Sequence, residues 1–423
     1  MLVRVSTPDG SGTVVRLIIE RVRRLLGWVV QRLIPDADPS AVLPFVLRWA
    51  KARAKALMRR RGLVRATMVA CPQPGRIWTI EQDFTRPSPG EVLVQVEVSA
   101  VSPGTERAFF KRLPNARPTY PYFPGYSLAG QVAVAGRGSR FRPGDRVALA
   151  APHASAAVVR ESLVYPVPPE VSLEEAAFVQ LGIIALQAVQ KAQLRPGAPM
   201  VVLGQGLIGQ FLVQLGAAHG AYPIISISRT SRRLAESLLR TAQQVIILER
   251  DGHGALDRLN AEVVFEATGS PDGLPAALRC TRMGGRVILA GSTRGTTQQA
   301  DFGLLADKAV TIVGAHINSL SHADMVAQAQ IFFHLLRHRR LDIASLISER
   351  VHPWEAEWFY RRLASKDDTT IGAVMCWDRL HQQQRVRRVS FLTPPDLTPF
   401  RHARMARWPL GRRLQPEGGS AQR

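Results

Sequence analysis

Cysteine is scarce in this chain of 423 residues, which contains only Cys71, Cys280 and Cys376. The three are far apart and form no CxxC pair, so their pattern supports neither a disulfide framework nor a zinc site built from cysteines. Because stable disulfides belong to oxidising compartments, we expect a cytoplasmic protein.

Long apolar runs are also missing. The apolar positions in residues 13–34 follow a helical spacing, but arginines interrupt them and leave no run of 18 apolar residues. This pattern excludes a membrane span and argues against the core of a secretory signal.

Acidic side chains are few: 33 Asp and Glu stand against 55 Lys and Arg, for a net charge of +22. The imbalance lies at the two ends. Residues 1–66 carry 14 basic and 4 acidic side chains, and residues 381–423 carry 9 arginines and 2 acids. The intervening part is close to neutral, so the basic ends must be interpreted separately from the globular body.

The basic N-terminal segment, residues 1–66, predicts a helical extension with two amphipathic stretches, 13–34 and 40–61. Such helices fit an anionic membrane surface, which would make the protein peripheral to the membrane. The alternative is packing against the body or a partner subunit.

Nothing resembles a nucleic-acid recognition motif, so we expect no specific nucleic acid partner. Residues 381–423 lack periodicity and predict a disordered tail.

Length and apolar content indicate a soluble protein of at least two domains, because 423 residues exceed one ordinary hydrophobic core. Residues 67–170 are rich in strand patterns, of which the alternation over residues 91–98 is the clearest. A helix is predicted over residues 172–193, with Ser172 as its cap. Strands then alternate with helices up to residue 314, which is typical of a doubly wound parallel sheet.

A GxGxxG turn at residues 204–209 is the strongest motif. It follows an apolar strand at 200–203 and leads into a helix and a second strand at 224–227, as in dinucleotide-binding folds. The first glycine permits a tight turn, the second lets a pyrophosphate approach, and the third lets the helix pack on the strand. The helix then directs free N–H groups at the phosphates.

The end of the second strand favours NADP, with NAD as the alternative. NAD sites usually place a carboxylate about 20 residues after the glycines, to bind the ribose 2′-hydroxyl. Here that position holds Ser228, followed by Arg229, with Arg232 and Arg233 one turn later. Guanidinium groups can pair with a 2′-phosphate. The alternative is that Arg232 and Arg233 are solvated cations at a helix start. The predicted cofactor-binding residues are Gly204, Gly206, Leu207, Ile208, Gly209, Ser228, Arg229, Arg233, Thr268 and Gly269.

The order of these features resembles the medium-chain dehydrogenase/reductase superfamily, the alcohol dehydrogenase-like fold. Further motifs that carry the resemblance are residues 144–147 (GDRV), 267–271 (ATGSP) and 284–287 (GGRV). The resemblance implies an α/β protein with a GroES-like catalytic domain over 67–175, a Rossmann domain over 176–316 and a return to the catalytic domain over 317–380. It also implies a homodimer formed at the sheet edge near residues 286–314.

Departures from the family pattern predict a zinc-free member. Where zinc members carry their catalytic cysteine, histidine and third ligand, this chain has Pro103, Tyr126 and, near the third position, Leu181. Proline and leucine offer no ligand atom, and the cysteine-rich structural zinc lobe is missing from the sequence. The stretches 102–106 (SPGTE), 124–126 (PGY) and 370–377 (TIGAVMCW) resemble a narrower branch that includes bacteriochlorophyllide a dehydrogenase.

Hydroxyl groups would then replace the metal in stabilising a developing oxyanion. The predicted catalytic residues are Tyr126, at a lost ligand position, Thr105, which matches the proton-relay hydroxyl of zinc members, and Glu106. The alternatives are a phenol that fills the vacated metal site, a turn held by bonds to the backbone, and pairing of Glu106 with Arg107 or Lys111. His153 and His316 are weaker candidates.

Together these features predict a zinc-independent oxidoreductase that transfers hydride between NADP(H) and an alcohol or ketone, small or lipophilic. The alternatives are an NADPH-dependent quinone or enoyl reductase, which would use the same fold, and a non-catalytic cofactor-binding or scaffold protein.

Overall fold

The computed structural model describes residues 63–116, 118–291, 300–365 and 369–377. Fifteen strands lie in these ranges: β1 (Leu63–Ala70), β2 (Trp78–Thr85), β3 (Glu91–Val101), β4 (Leu128–Ala135), β5 (Arg146–Leu149), β6 (Ala156–Arg160), β7 (Val164–Pro166), β8 (Met200–Leu203), β9 (Ile224–Ser228), β10 (Gln244–Ile247), β11 (Ala261–Glu266), β12 (Thr281–Leu289), β13 (Thr311–Gly314), β14 (Ile347–Val351) and β15 (Gly372–Cys376).

Ten α-helices lie between these strands in the same ranges: α1 (Pro103–Phe110), α2 (Leu173–Ala176), α3 (Val179–Ala192), α4 (Leu207–Ala218), α5 (Glu236–Thr241), α6 (Leu248–Asp251), α7 (Gly273–Cys280), α8 (Phe302–Asp307), α9 (His322–Arg337) and α10 (Ala356–Leu363).

The first sheet has the strand order β14-β15-β3-β4-β5-β7, and β6 also pairs with β3. Its centre is β3, whose alternating sequence predicted a half-buried strand. Both faces of β3 are in fact largely covered: Val94 and Val96 pack in the main core of this sheet, whereas Leu93 packs beneath the β1–β2 hairpin. Strand β15 runs antiparallel to β3, so the chain adds its last described strand to the first sheet.

The β1–β2 hairpin forms a small antiparallel sheet, in which Leu63 pairs with Thr85. Strand β1 therefore begins four residues inside the segment that the sequence assigns to the N-terminal extension.

The second sheet contains six parallel strands in the order β10-β9-β8-β11-β12-β13. After β8 the chain moves outward to β9 and β10, and it then returns to place β11 on the other side of β8. This reversal opens a crevice at the carboxyl ends of β8 and β11, where open parallel sheets bind their ligands. The doubly wound fold predicted from the sequence is confirmed.

The helix predicted over residues 172–193 is two helices, which corrects that expectation. Ser172 caps α2 in a capping box with Glu175, as its position predicts. The helical path then breaks before Val179, because the Ser127 hydroxyl donates to the Ala177 carbonyl and accepts a bond from the Gln180 N–H. A residue 50 positions away in sequence thus supplies the hydrogen bonds that divide the helix.

The basic extension before residue 63 and the tail from residue 381 lie outside the described residues. No helix in the described part of the chain is long and apolar enough to cross a membrane. Strand β13 forms one edge of the six-stranded sheet, and the homodimer at this edge stays a prediction.

Candidate active site

A cleft of about 1580 Å³ contains most of the predicted site residues. Its walls come from α1 and the loop before β4 in the first domain, and from the ends of β8, β9, β11 and β13 in the second. Nine of the ten predicted cofactor-binding residues line it; the exception is Gly209. The lining is mostly apolar. Of the described lining residues, only Asp272 carries a carboxylate, whereas five are arginines: Arg107, Arg229, Arg232, Arg233 and Arg279.

The three glycines of the turn between β8 and α4 have different surroundings. Gly204 has φ +92°, a conformation that favours glycine. A Cβ on Gly209 would lie 1.8 Å from the Gly204 carbonyl oxygen, so the third glycine lets α4 pack on the turn. A Cβ on Gly206 would meet no atom within 4 Å and would project into open space. Gly206 therefore leaves room at the N-terminus of α4, and this cradle fits a pyrophosphate.

A second turn faces the glycines from the end of β11. The buried carboxylate of Glu266 accepts bonds from the Thr268 N–H at 2.8 Å, the Thr268 hydroxyl and the Gly269 N–H at 3.2 Å. All three bonds go to one oxygen, and the other oxygen has no partner within the described residues. Burial raises the pKa of Glu266, although the three hydrogen bonds oppose that shift. Glu266 thus shapes the turn that lines the cleft without lining it itself.

The end of β9 forms the predicted ribose site. The buried Ser228 hydroxyl donates to the Thr230 carbonyl at 2.7 Å, which folds the chain back after the strand. Arg229 and Arg232 are exposed, and Arg233 is half-buried. All three arginines line the cleft that also contains the glycine turn. The structure therefore brings the predicted arginines together with that turn.

The three positions that carry zinc ligands in the resembled family also meet in this cleft. Pro103 begins α1, Tyr126 precedes β4, and Leu181 lies in the first turn of α3. Leu181 is buried, and it lines the same cleft as Tyr126. The described residues contain no group of three or more His, Cys, Asp or Glu side chains arranged to hold a metal.

The Tyr126 hydroxyl donates a hydrogen bond to the Ser102 hydroxyl at 2.8 Å. Ser102 lies between β3 and α1, and both side chains line the cleft. Thr105 lines the cleft from the first turn of α1. These hydroxyls can donate to an oxygen that gains charge in the cleft, because a hydroxyl hydrogen rotates to suit its acceptor. The sequence analysis assigned no catalytic role to Ser102. Its position directly before Pro103, at a place that carries a zinc ligand in the resembled family, was the signal that could have indicated one.

Glu106 lies beneath the cleft and is not among its lining residues, which corrects the expectation of direct contact with substrate. Its carboxylate accepts a bond from the Ser102 N–H at 2.8 Å and from the Tyr360 hydroxyl, and it lies 3.1 Å from His153 Nε2. It pairs with neither Arg107 nor Lys111 in these contacts. The alternative of a turn held by a side chain bonded to the backbone matches this geometry.

His153 is fully buried in the same network. Its Nδ1 lies 2.8 Å from the Ser99 hydroxyl, which also accepts a bond from the Trp377 indole N–H at 2.9 Å. Burial and the nearby Glu106 carboxylate raise the pKa of Tyr360 well above its usual range, so this phenol stays protonated and donates to Glu106. The network fixes Ser102 through the bond from its N–H to the Glu106 carboxylate. His153 itself does not line the cleft.

His316 does line the cleft, directly after β13. Its Nδ1 accepts a bond from the Asn318 N–H at 3.1 Å. The side chain lies where it can contact a ligand at the carboxyl edge of the sheet.

Two family models match the chain in the order of its two sheets. Residues 88–165 match the alcohol dehydrogenase GroES-like domain, and residues 208–332 match the zinc-binding dehydrogenase family. The first match covers most of the first sheet, and the second begins inside the glycine turn.

Among curated proteins, the chain is similar to 2-desacetyl-2-hydroxyethyl bacteriochlorophyllide A dehydrogenase of Cereibacter sphaeroides. The two are 28% identical over 244 residues, which are 53% of this chain and 73% of the relative.

Solved structures share the fold. A zinc-binding dehydrogenase of Sinorhizobium meliloti 1021 bound to NADP has a TM-score of 0.65 and 20% identity, over 74% of this chain and 99% of the other. An alcohol dehydrogenase of Escherichia coli CFT073 complexed with NADH has a TM-score of 0.65 and 18% identity over the same shares. These matches, together with the predicted motifs, show that the chain belongs to the medium-chain dehydrogenase/reductase superfamily, whose members are dehydrogenases and reductases.

Proposed function

We propose that the protein is a zinc-independent oxidoreductase that uses NADP(H) to interconvert an alcohol and a ketone. The observation that carries the proposal is the cradle at Gly206, which opens onto the same cleft as the Tyr126 and Ser102 hydroxyls. A cofactor held by its pyrophosphate at the start of α4 would extend along a cleft whose other end contains hydroxyl donors.

The preference for NADP over NAD is supported by charge. Arg229, Arg232 and Arg233 line the cleft beyond β9, and no carboxylate stands at the Ser228 position. A guanidinium pairs well with a 2′-phosphate, whereas a carboxylate there would repel it. Solved relatives are bound to NADP in one case and NADH in another, so the arginines of this chain are the basis of the preference.

The bound cofactor would supply or accept a hydride at the substrate carbon. In the reducing direction, Tyr126 or Ser102 donates a hydrogen bond to the carbonyl oxygen and then its proton, so the product is a neutral alcohol. Whichever hydroxyl gives up its proton regains one from solvent water in the cleft, directly or through the partner hydroxyl 2.8 Å away, so both end protonated; Thr105 is a further donor in the same cleft. In the oxidising direction the same hydroxyls relay the proton of the alcohol to solvent water.

Zinc independence is supported by the side chains at the former ligand positions. Pro103 and Leu181 have no ligand atoms, and the Tyr126 hydroxyl is bonded to Ser102. We therefore assign the electrophilic role to hydroxyl donors.

A lipophilic substrate is supported by the walls of the cleft near Tyr126. They include Phe109, Leu113, Tyr122 and Phe123, which are aromatic or apolar. A relative named for a bacteriochlorophyllide substrate is consistent with this class without fixing its identity.

Three measurements test the proposal. Titration of the purified protein should give a lower Kd for NADPH than for NADH, and equal values would refute the preference.

Metal analysis after dialysis should find far less than one zinc per chain, whereas stoichiometric zinc lost together with activity would refute zinc independence. A panel of aryl ketones, quinones and enals with NADPH should show turnover of the ketones; turnover of only quinones or enals would favour the C=C or quinone reductase alternative.

A further inference from the structure

The side chain of Gln210 links the two segments that form the cofactor end of the cleft. Gln210 follows Gly209 in α4, and it is fully buried. Its amide nitrogen donates to the Gln205 carbonyl at 3.1 Å and to the Arg233 carbonyl at 2.7 Å. Its amide oxygen accepts a bond from the Ala235 N–H at 3.2 Å. One side chain therefore satisfies three backbone groups on two separate segments.

The first of these segments is the glycine turn, since Gln205 lies between Gly204 and Gly206. The second is the arginine segment, residues 229–235, which follows β9. The arginine segment forms neither helix nor strand, so its position depends on hydrogen bonds from other parts of the chain. The two bonds from Gln210 hold the carboxyl end of that segment against the start of α4.

We infer that Gln210 is a positioning residue for cofactor selectivity, because it fixes the arginine segment relative to the pyrophosphate cradle. This inference rests on the proposed preference for NADP(H). Loss of the amide would leave the Arg233 carbonyl and the Ala235 N–H without these partners, and the segment would shift to regain them. Charge-assisted bonds to a 2′-phosphate depend on distance and angle and would weaken, whereas the N–H groups of α4 would still bind a pyrophosphate.

Gln214 provides a matched control on the same helix. It is also buried, and it accepts a bond from the Asp342 N–H at 2.6 Å and donates to the Asp342 carbonyl at 3.3 Å. Its amide nitrogen also donates to the Ser237 hydroxyl at 3.4 Å, in α5 directly after the arginine segment, but within the described residues Gln214 bonds to no residue of that segment itself. Replacing either glutamine with leucine removes a buried amide of similar size from α4, but only one replacement releases the arginine segment.

The experiment compares Gln210→Leu, Gln214→Leu and the unmodified protein. The Kd values of NADPH and NADH are measured by fluorescence titration, and folding is checked by thermal unfolding. Gln210→Leu should weaken NADPH binding about tenfold, the scale of one lost charge-assisted bond, and change NADH binding far less. Gln214→Leu should leave the ratio of the two Kd values unchanged. Equal weakening of both cofactors by Gln210→Leu, or the same change of ratio in Gln214→Leu, would overturn the inference.

A second variant covers the case in which Gln210→Leu does not fold. Gln210→Asn keeps an amide but shortens the side chain by one methylene, so it cannot span both segments. It should lower the NADPH preference, and an unchanged ratio in the folded Asn variant would refute the inference.

Arg233→Ala serves as the partner in a double-mutant cycle: combined with either Gln210 variant, it should lower the preference by less than the sum of the two single effects. An unmodified protein without NADPH preference would refute the proposed selectivity, a result that is separate from any effect of Gln210.

Discussion

The Tyr126 and Ser102 hydroxyls lie 2.8 Å apart in the cleft, although 24 residues separate them in sequence. Ser102 directly follows β3, and Tyr126 lies two residues before β4, the antiparallel neighbour of β3. The pairing of two adjacent strands thus brings together two hydroxyl groups that can pass a proton from one to the other.

This pair predicts a specific loss of turnover. Tyr126→Phe and Ser102→Ala should each lower kcat for carbonyl reduction by about 10²–10⁴-fold, the range for general acid catalysis, because the oxyanion loses a proton donor or its source. The Kd for NADPH should stay within about twofold of the unmodified value, since neither residue is part of the glycine turn. Steady-state kinetics and cofactor titration test this together, and full activity of both variants would mean that the phenol only fills the space of a lost ligand.

The glycine turn predicts two different outcomes for two alanine substitutions. Gly206→Ala should fold normally, because its Cβ meets no atom within 4 Å, but should bind NADPH weakly since the methyl group occupies the cradle. Gly209→Ala should unfold at lower temperature, because its Cβ would lie 1.8 Å from the Gly204 carbonyl oxygen. Thermal unfolding with and without NADPH separates the two effects. Tight binding by Gly206→Ala would place the pyrophosphate elsewhere.

The network around Glu106 predicts a loss of stability. Glu106→Ala removes the acceptor for the Ser102 N–H and the Tyr360 hydroxyl, at a cost of about 1–3 kcal/mol for each buried donor left without a partner. Glu106→Gln keeps one carbonyl oxygen and should lose less. Urea unfolding measures both. A normal free energy of unfolding in the alanine variant, combined with lost turnover, would instead assign Glu106 a direct part in the reaction.

Glu266 predicts a dependence of stability on pH. Burial raises its pKa in the folded state above the ordinary 4.5, so between these two values the folded protein binds more protons than the unfolded chain. The contribution of Glu266 to the free energy of unfolding is therefore greatest below the ordinary pKa, and it falls as the pH rises towards the folded-state pKa. Glu266→Gln does not titrate and can keep the single oxygen that accepts all three bonds.

Urea unfolding of both proteins between pH 4 and pH 8 provides the measurement. The stability of the glutamine variant relative to the unmodified protein should increase with pH. A constant difference over this range would show that Glu266 has an ordinary pKa in the folded state.

The basic extension predicts binding to anionic membranes. Its arginines and lysines each contribute about 1 kcal/mol near an anionic surface, screened over roughly one Debye length. The full chain should bind vesicles that contain phosphatidylserine at low salt and release them as salt rises. Removal of residues 1–62 should abolish binding and leave NADPH affinity intact. A full-length protein that ignores such vesicles would favour packing of the extension against the body or a partner subunit.

The sequence by itself determined the second domain, because the signals there are local. The glycines of the turn and the short apolar strands each depend on neighbours within a few residues, and the structure places these strands as predicted. The order of these elements along the chain was enough to predict a doubly wound sheet and a cofactor site beside Gly206.

Only the tertiary structure decided how the chemistry of the first domain is arranged. Ser102 and Tyr126 come together through strand pairing, and Leu181 lines the same cleft from α3; no local sequence pattern indicates this arrangement. The same applies to Glu106, whose sequence position beside Thr105 predicted a place in the cleft. Its position in α1 turns the carboxylate away from the cleft, towards His153 and Tyr360. Burial and hydrogen bonding of a side chain depend on what folds over it from distant parts of the chain, so they are fixed only when both sheets are assembled.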